Sequence, residues 1–502
     1  MNPHKLFGLL LIVLATSFLA CQNAQTTATT DTAATDATQV PVNLGPQEEE
    51  TRNHRIDFEV ANFMGDFVII AYNQGEGKYV QDTLTAQDGK FVLEGEDPLP
   101  PGIYAVALPP SNTYFEIVVD KDQVFSIKTD TTDFAGTMQV EGSFQNEIFY
   151  GDMAFIAEQR KKVQELAPKL QAAKPGTPEF EQLNEERKKI DQAVADHRNR
   201  IIRENPTLLY ADLLAAMQDP TVPEAPKDAN GQPLDSLFAW KYTREHWWDA
   251  VDFSSKGLVR TPALQAKITR YLDNLTYQHP DSVLKSIDYV LARAEQGDYE
   301  VFRYCLTTMF NKYVNIELMC WDKVFVYMAE KYYLANHPMI DWPDSTMLAD
   351  MRERATAMKP TICGEIAPNY TVEKMDGEMI SMHSIEAPYT ILYFWDYDCG
   401  HCKKETPKLA EAYKKYEKDG VALLTLSING DIGVWKNKIK EYGFTGGIHA
   451  QDHRRQSGFD AYYDLRTTPR MFVLDKDKRI IAKRIGAETL EQIFAFEKGK
   501  TQ

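Results

Sequence analysis

Cysteine is scarce in this chain, six residues in 502, at positions 21, 305, 320, 363, 399 and 402. Cys399 and Cys402 make the one Cys-x-x-Cys pair, and without a second such pair a four-thiolate zinc ribbon is excluded, so no metal is expected. Long apolar runs are missing as well. Beyond the first twenty residues nothing reaches the roughly 18 consecutive apolar positions that a transmembrane helix needs. Positive charge is short: 55 Lys and Arg face 73 Asp and Glu, a net charge of -18. That is the wrong sign for neutralising phosphates and removes nucleic acid as a partner. What is present, 43% hydrophobic and 25% charged residues, is the composition of globular protein, and the length implies about three folded units.

At the start of the chain His4 and Lys5 precede the apolar run Leu6 to Leu14, then Ala15 to Ala20 and Cys21. The run is too short to span and ends in small residues, so residues 1–20 read as a cleaved export signal. Leu19-Ala20-Cys21 resembles the lipobox of bacterial lipoproteins, which implies a diacylated Cys21 and a membrane anchor. Residues 21–52, rich in Thr, Ala, Gln and Asp without an apolar period, read as a flexible linker. No acidic run follows Cys21, which by the same resemblance favours a periplasmic face. With Cys21 given to lipid, five cysteines remain. An odd count with two in a Cys-x-x-Cys pair points to a redox protein with bystander thiols. Cys305, Cys320 and Cys363 are read as buried and inert. A Cys305 to Cys320 bridge requires a helix break near Asn315, since 15 helical residues hold their ends about 22 Å apart.

Over 53–145, β-branched and aromatic runs (Phe67 to Ile70, Phe91 to Leu93, Tyr104 to Val106, Phe115 to Val119, Val124 to Ile127) are separated by turn signals such as Asp88-Gly89 and Pro100-Pro101-Gly102. That spacing predicts an antiparallel β-sandwich. Over 146–358 the period becomes helical. Two long charged segments broken at Lys174-Pro175-Gly176-Thr177-Pro178 predict an antiparallel helix pair. The stripe Phe302, Cys305, Leu306 and Met309, with Trp247-Trp248 and Tyr332-Tyr333, reads as a buried seam. Neither region carries a catalytic constellation. Over 359–502 strands and helices alternate: Thr390 to Trp395, a helix from Cys399 to Lys418, Val421 to Ile428, a helix from Trp435 to Tyr442, Arg470 to Leu474 and Ile480 to Arg484. The first three form a βαβ unit that sets the cysteines at the carboxyl end of a strand, where α/β active sites gather. The expected fold is multidomain: a β-sandwich, a central α-helical domain and a C-terminal α/β domain.

Cys399 follows a buried-type strand and opens a helix. Unpaired backbone N–H groups and the positive end of the helix dipole stabilise a thiolate there, below the free value of about 8.5, so Cys399 is the expected nucleophile. Cys402 lies one turn on, placed to attack the mixed disulfide that Cys399 makes with a substrate. A purely structural bridge between the two would close too small a loop to constrain the chain. Glu405 falls on the same helix face and is the candidate to hold a proton, while Pro407 is set to kink the helix. The run Phe394-Trp395-Asp396-Tyr397-Asp398-Cys399-Gly400-His401-Cys402-Lys403-Lys404-Glu405-Thr406-Pro407 resembles the TlpA and ResA branch of the thioredoxin superfamily. Upstream, Ala367-Pro368-Asn369-Tyr370 and Asp376-Gly377 are similar to that branch's opening hairpin, and downstream Thr467-Thr468-Pro469 is similar to its cis-proline loop. The resemblance implies a thioredoxin-like fold and thiol-disulfide oxidoreductase activity without a cofactor. It implies that Glu405 takes the proton of Cys402, that Pro469 is cis and that Thr468 offers its backbone to substrate. His401 and Trp395 join Thr468 and Pro469 in the set expected to meet substrate. The β and helical regions are similar to those that precede the redox domain in lipoproteins of Bacteroidetes.

Two positions depart from the related patterns. Thioredoxin carries a buried aspartate just before its Phe-Trp pair, where this chain has Tyr393, so Glu405 must supply any buried acid. Asp398 stands where the branch usually has tryptophan, and a carboxylate there opposes a thiolate. His401 is the spacer of oxidising relatives, since a cationic imidazole favours the reduced form. Glu405 and the lipoprotein context point instead to the reducing type, and the chain is read as a reductase. Its partners would be protein thiols and disulfides, a membrane or periplasmic electron donor, and a membrane through the lipid. A peroxidatic site needs Thr three and Pro seven residues before the nucleophile, and Asp396 and Leu392 stand there. The alternative is a binding or scaffold lipoprotein in which the first two regions dock a partner and the redox domain is secondary.

Overall fold

Alternate residues of the first strand, Ile56, Phe58 and Val60, are buried, the signature of a strand with one face on a core. The computed structural model describes residues 54–500 apart from 76, 112, 317, 430, 445, 453–455, 464 and 466. The expected signal at 1–20, the lipid site Cys21 and the linker 21–52 lie outside the described residues. Among the described residues no helix is long and apolar enough to cross a membrane.

Eight strands come first: β1 His54–Ala61, β2 Phe67–Gln74, β3 Gly77–Thr85, β4 Lys90–Gly95, β5 Gly102–Leu108, β6 Thr113–Val119, β7 Val124–Asp130 and β8 Gln139–Glu141. They form two four-stranded sheets, β4-β1-β7-β8 and β3-β2-β5-β6, whose inward residues, among them Phe58, Val68, Tyr104, Ile117 and Ile127, share one apolar cluster. At about 1.5–3 kcal/mol for each large apolar side chain removed from water, that cluster holds the sheets together. The pairing is not purely antiparallel as expected: β1 and β7 run parallel, Ile56 opposite Phe125, because the long stretch between them supplies the crossover that parallel neighbours require. The Asp88-Gly89 turn has positive φ at both residues, 49° and 73°. A Cβ at Gly89 would lie 2.2 Å from the Val60 carbonyl oxygen, so glycine is obligatory there.

The helical region begins by covering the exposed edge of β6. Val118 N–H donates to Asn146 Oδ1 at 2.8 Å and Asn146 Nδ2 donates to Val118 O at 2.7 Å, so one side chain pairs with the strand as a neighbouring strand would. Asn146 lies on the first of two long helices, Phe144–Ala172 and Pro178–Glu204. The turn between them has Gly176 at φ 82°, and Thr177 caps the second helix by accepting from Phe180 N–H. Trp247, Trp248, Phe302, Cys305, Leu306, Met309, Tyr332 and Tyr333 are all in the core of this region, as the helical spacing predicts.

The last seven strands, β9 Thr371–Lys374, β10 Met379–Ser381, β11 Tyr389–Trp395, β12 Ala422–Ser427, β13 Ile448–Gln451, β14 Arg470–Asp475 and β15 Ile480–Lys483, form one sheet in the order β10-β9-β13-β12-β11-β14-β15. β11, β12 and β13 are parallel, joined by the helices Gly400–Glu417 and Ile432–Glu441, and β14 returns antiparallel on the other side of β11. β11 is therefore central and buried at every residue but its first.

One reading of the cysteines is corrected here. Cys320 and Cys363 are not inert thiols; they form a disulfide with Cα atoms 5.4 Å apart. Cys305 is free and buried, and burial pushes its thiol up to about 12. Its helix does end, at Tyr313, but the chain that follows carries Cys320 to Cys363 instead. Two residues beyond Cys320 is Asp322 and two before Cys363 is Thr361. Both hold the Lys483 ammonium of β15, through Asp322 Oδ2, Thr361 O at 2.6 Å and Thr361 Oγ1 at 3.4 Å. Lys483 and Asp322 are each only 3% exposed. The disulfide thus brackets a buried oxygen cradle that fastens the helical region to the edge of the last sheet.

Two stability measurements follow from this junction. Opening the 43-residue separation with Cys320→Ser and Cys363→Ser together is expected to lower stability by about 4 kcal/mol in the chain-entropy limit. It reads as a lower denaturant midpoint under non-reducing conditions, and an unchanged midpoint would show that the bridge constrains nothing. Lys483→Met alone leaves Asp322 buried and unpaired and should cost about 3–5 kcal/mol. Lys483→Met with Asp322→Leu should recover most of that loss, and a double variant as unstable as the single one would contradict the pairing.

Candidate active site

Apolar residues alone run from Ile391 to Trp395, which suits the centre of a sheet with both faces covered. The strand stops at Trp395, whose carbonyl still accepts from Ile428 N–H at 3.0 Å. The chain then turns through Asp396, Tyr397 and Asp398. Asp396 closes the turn by accepting Asp398 N–H on Oδ1 at 2.7 Å and Cys399 N–H on its carbonyl at 3.2 Å. Cys399 occupies the N-cap of the Gly400–Glu417 helix without giving it a side-chain capping bond. The N–H groups of His401 and Cys402 in the first turn nonetheless act on its sulfur in the direction that favours a thiolate.

The two thiols have opposite surroundings. Cys399 is half-buried and Cys402 fully buried. Burial acts to raise the Cys399 thiol, but the Thr468 side chain, the N–H groups of Cys402 and His401 and the Cys402 thiol outweigh it, and the net shift is downward. At Cys402 burial dominates and drives the thiol up to about 11, against weaker help from Asp396 N–H and Thr468. Asp396 N–H reaches Cys402 Sγ at 3.4 Å.

Thr468 and Pro469 face the pair across the cleft, joined by a cis peptide bond as the resemblance implies. The Cys399 thiol donates to Thr468 O at 3.3 Å, so while the thiol is protonated it occupies the carbonyl that a substrate strand would need. The Thr468 side chain also acts to lower both thiols, an influence that reading only its backbone missed.

The other expected residues divide. His401 is exposed beside the pair. Trp395 is fully buried with its ring against Tyr442, so it supports the site from beneath and does not meet substrate as expected. The Glu405 carboxylate is 17% exposed. Its Oε1 accepts from Ala487 N–H at 2.6 Å and its Oε2 from Lys408 Nζ at 3.3 Å, so it is anchored in place on the face that carries Cys402. Tyr393, where thioredoxin has an acid, is buried and bonds Thr406 Oγ1 at 2.9 Å. Burial pushes its hydroxyl far up, which keeps it neutral. Asp398 does not turn on the nucleophile. Its Oδ2 accepts from Asn429 Nδ2 at 3.2 Å, a partner the sequence reading passed over, although Asn429 lies just beyond β12 at the end where βαβ sites form. Among the described residues no group of His, Cys, Asp and Glu is arranged to hold a metal.

Comparison with known proteins gives three family patterns along the chain. The AhpC/TSA family matches residues 363–483, and two domains of unknown function, DUF5106 and DUF4369, match 179–357 and 55–149. The thiol-disulfide oxidoreductase ResA of Bacillus thuringiensis (strain Al Hakam) is 31% identical over 136 residues, 27% of this chain and 76% of the relative. ResA of Bacillus subtilis (strain 168) is 27% identical over 130 residues, 26% of this chain and 71% of its own. A solved thioredoxin-like protein from Bacteroides caccae covers 55% of this chain and 98% of its own at 18% identity and a TM-score of 0.42. At 31% identity across 76% of a ResA chain, and with its thiol pair opening a helix beside a central strand, this protein belongs to the ResA family of thiol-disulfide oxidoreductases.

Proposed function

We propose that the protein is a lipid-anchored reductase of exported protein disulfides, with Cys399 as nucleophile and Cys402 as resolving thiol. The observation that carries this reading is the inequality of the thiols: one half-buried and shifted down, the other buried and shifted up to about 11. The Cys399 thiolate attacks one sulfur of a substrate disulfide, the substrate S–S bond breaks, and the departing thiolate takes a proton. Cys402 then gives its proton to Glu405, attacks the Cys399 sulfur and releases the second substrate thiol, leaving a Cys399 to Cys402 disulfide. Two electrons have passed to substrate, and a dithiol donor at the membrane or in the periplasm restores the pair. Glu405 suits the proton step because it stands one helical turn after Cys402 with its carboxylate anchored by Ala487 N–H. Thr468, Pro469 and exposed His401 border the opening where substrate would lie. The anchor would be Cys21, with 1–20 removed and 21–52 as leash. The body would comprise a β-sandwich over 53–145, a helical domain over 146–358 and the redox domain over 359–502.

Alkylation of the reduced protein checks the thiol assignment. Because Cys399 is shifted down, its thiolate is present at a lower pH than that of an ordinary cysteine, whereas Cys402 stays protonated until near pH 11. At pH 7 iodoacetamide should label Cys399 alone, with a rate that levels off below the ordinary cysteine range, and labelling of Cys402 first would refute the assignment. The direction is checked by equilibrating the full chain with thiol-disulfide buffers. A potential near or below about -270 mV supports a reductase, whereas one between about -180 and -120 mV makes it an oxidant or isomerase. For the anchor, Cys21→Ser should move the protein from the membrane to the soluble fraction, and continued sedimentation with membranes would count against lipidation.

A further inference from the structure

Two carboxylates lie within three residues of the nucleophile, an arrangement that should hinder thiolate formation. Both are engaged by one neutral side chain. Asn429 Nδ2 donates to Asp396 Oδ1 and to Asp398 Oδ2, each at 3.2 Å. Asp396 Oδ1 also accepts Asp398 N–H, and the N–H of Asp396 itself is the one that reaches Cys402 Sγ. The same amide therefore touches the turn at two points, one leading to each cysteine. The neighbouring charged groups come from two helices. Lys438 of the Ile432–Glu441 helix acts electrostatically on Asp398 and is paired with Glu441. Asp431, whose N–H donates to the buried Tyr397 hydroxyl at 3.2 Å, acts on that tyrosine together with Asp396 and Asp398, and His401 and Lys403 follow on the cysteine helix.

We propose that Asn429 is a positioning residue for the thiol-disulfide reaction: by holding the carboxylates of Asp396 and Asp398 together through one amide, it keeps their charge off the Cys399 sulfur and fixes the turn that aims Asp396 N–H at Cys402. This rests on Cys399 being the nucleophile. Without the amide the two carboxylates repel each other and swing free, and the nearer exposed one, Asp398, raises the cost of a thiolate. A less stable thiolate means a less stable reduced form, so the pair becomes easier to oxidise and its reduction potential falls.

The test uses the full chain with Asn429→Ala, Asp398→Asn and the double variant, read by the pH profile of Cys399 alkylation and by the reduction potential. Asn429→Ala should shift the profile to higher pH, slow alkylation at pH 7 about threefold or more, and make the potential more negative. Asp398→Asn should erase most of that shift in the double variant. Raising salt to 1 M should also shrink it, because the Debye length is then about 3 Å. A shift that survives both Asp398→Asn and high salt would make Asn429 merely structural and overturn the proposal, as would an unaltered profile in Asn429→Ala. If Asn429→Ala does not fold, Asp398→Asn alone decides: because Asn429 already holds that charge off the sulfur, its profile should stay close to the wild-type one, and a clear move to lower pH would overturn the proposal. The wild-type profile separates this from the site assignment, since a wild-type Cys399 without a lowered profile refutes the assignment, whatever Asn429 does.

Discussion

A lysine ammonium cannot leave water unless oxygen atoms replace its hydration, and Lys483 at the edge of the last sheet is almost completely enclosed. Its oxygens come from Asp322 and Thr361, residues outside the sheet. β15 can keep its lysine buried only while the helical region is docked, and the Cys320 to Cys363 bridge, two residues from each oxygen donor, secures the docking. β15 in turn leads through Arg484 to Ala487, whose N–H holds Glu405. The acid proposed to serve Cys402 is thus tied, within a few residues of chain, to the junction between regions.

The chemistry around the pair is set by substitutions that balance one another. Tyr393 replaces an acid and is kept neutral by burial, which outweighs the opposing effect of its bond to Thr406, so no second carboxyl competes with Glu405 beneath the cysteines. Asp398 replaces an aromatic ring and brings a charge, but its carboxylate is taken up by Asn429. The Cys399 thiol still shifts downward, because several short-range donors converge on its sulfur while the carboxylate is engaged elsewhere and exposed to water, which screens it.

How much of this was legible in the sequence depended on how local the cause was. β11 and the cysteine helix follow from a buried-type run and a helix start close together in the chain, while the opening hairpin and the cis-proline loop come from the family resemblance. β3 was missed because nearly every residue in it is exposed: backbone pairing with β2 makes it a strand, and apolar alternation gives no sign of it. β13 was missed because Ile448–Gln451 is short and carries a histidine, which bonds Thr425 of the neighbouring strand and which burial drives down to about 4. The parallel β1 and β7, the Cys320 to Cys363 bridge and the clasp of Asn429 on Asp398 join residues far apart in sequence. Trp395 is expected to meet substrate because it adjoins the motif, but it is the last residue of a buried strand and its ring packs in the core against Tyr442.

The junction also bears on where the redox unit begins. A fragment cut at the apparent border near residue 359 would retain Cys363 but not Cys320, and Lys483 but not Asp322. It would carry one thiol too many in a protein whose work is thiol exchange, and a buried cation without its counterion. The sheet that holds Cys399 and Cys402 is complete as a fold from Thr371 onward, yet it is electrically and covalently complete only from Cys320. The smallest faithful enzyme therefore includes the last helices of the region before it.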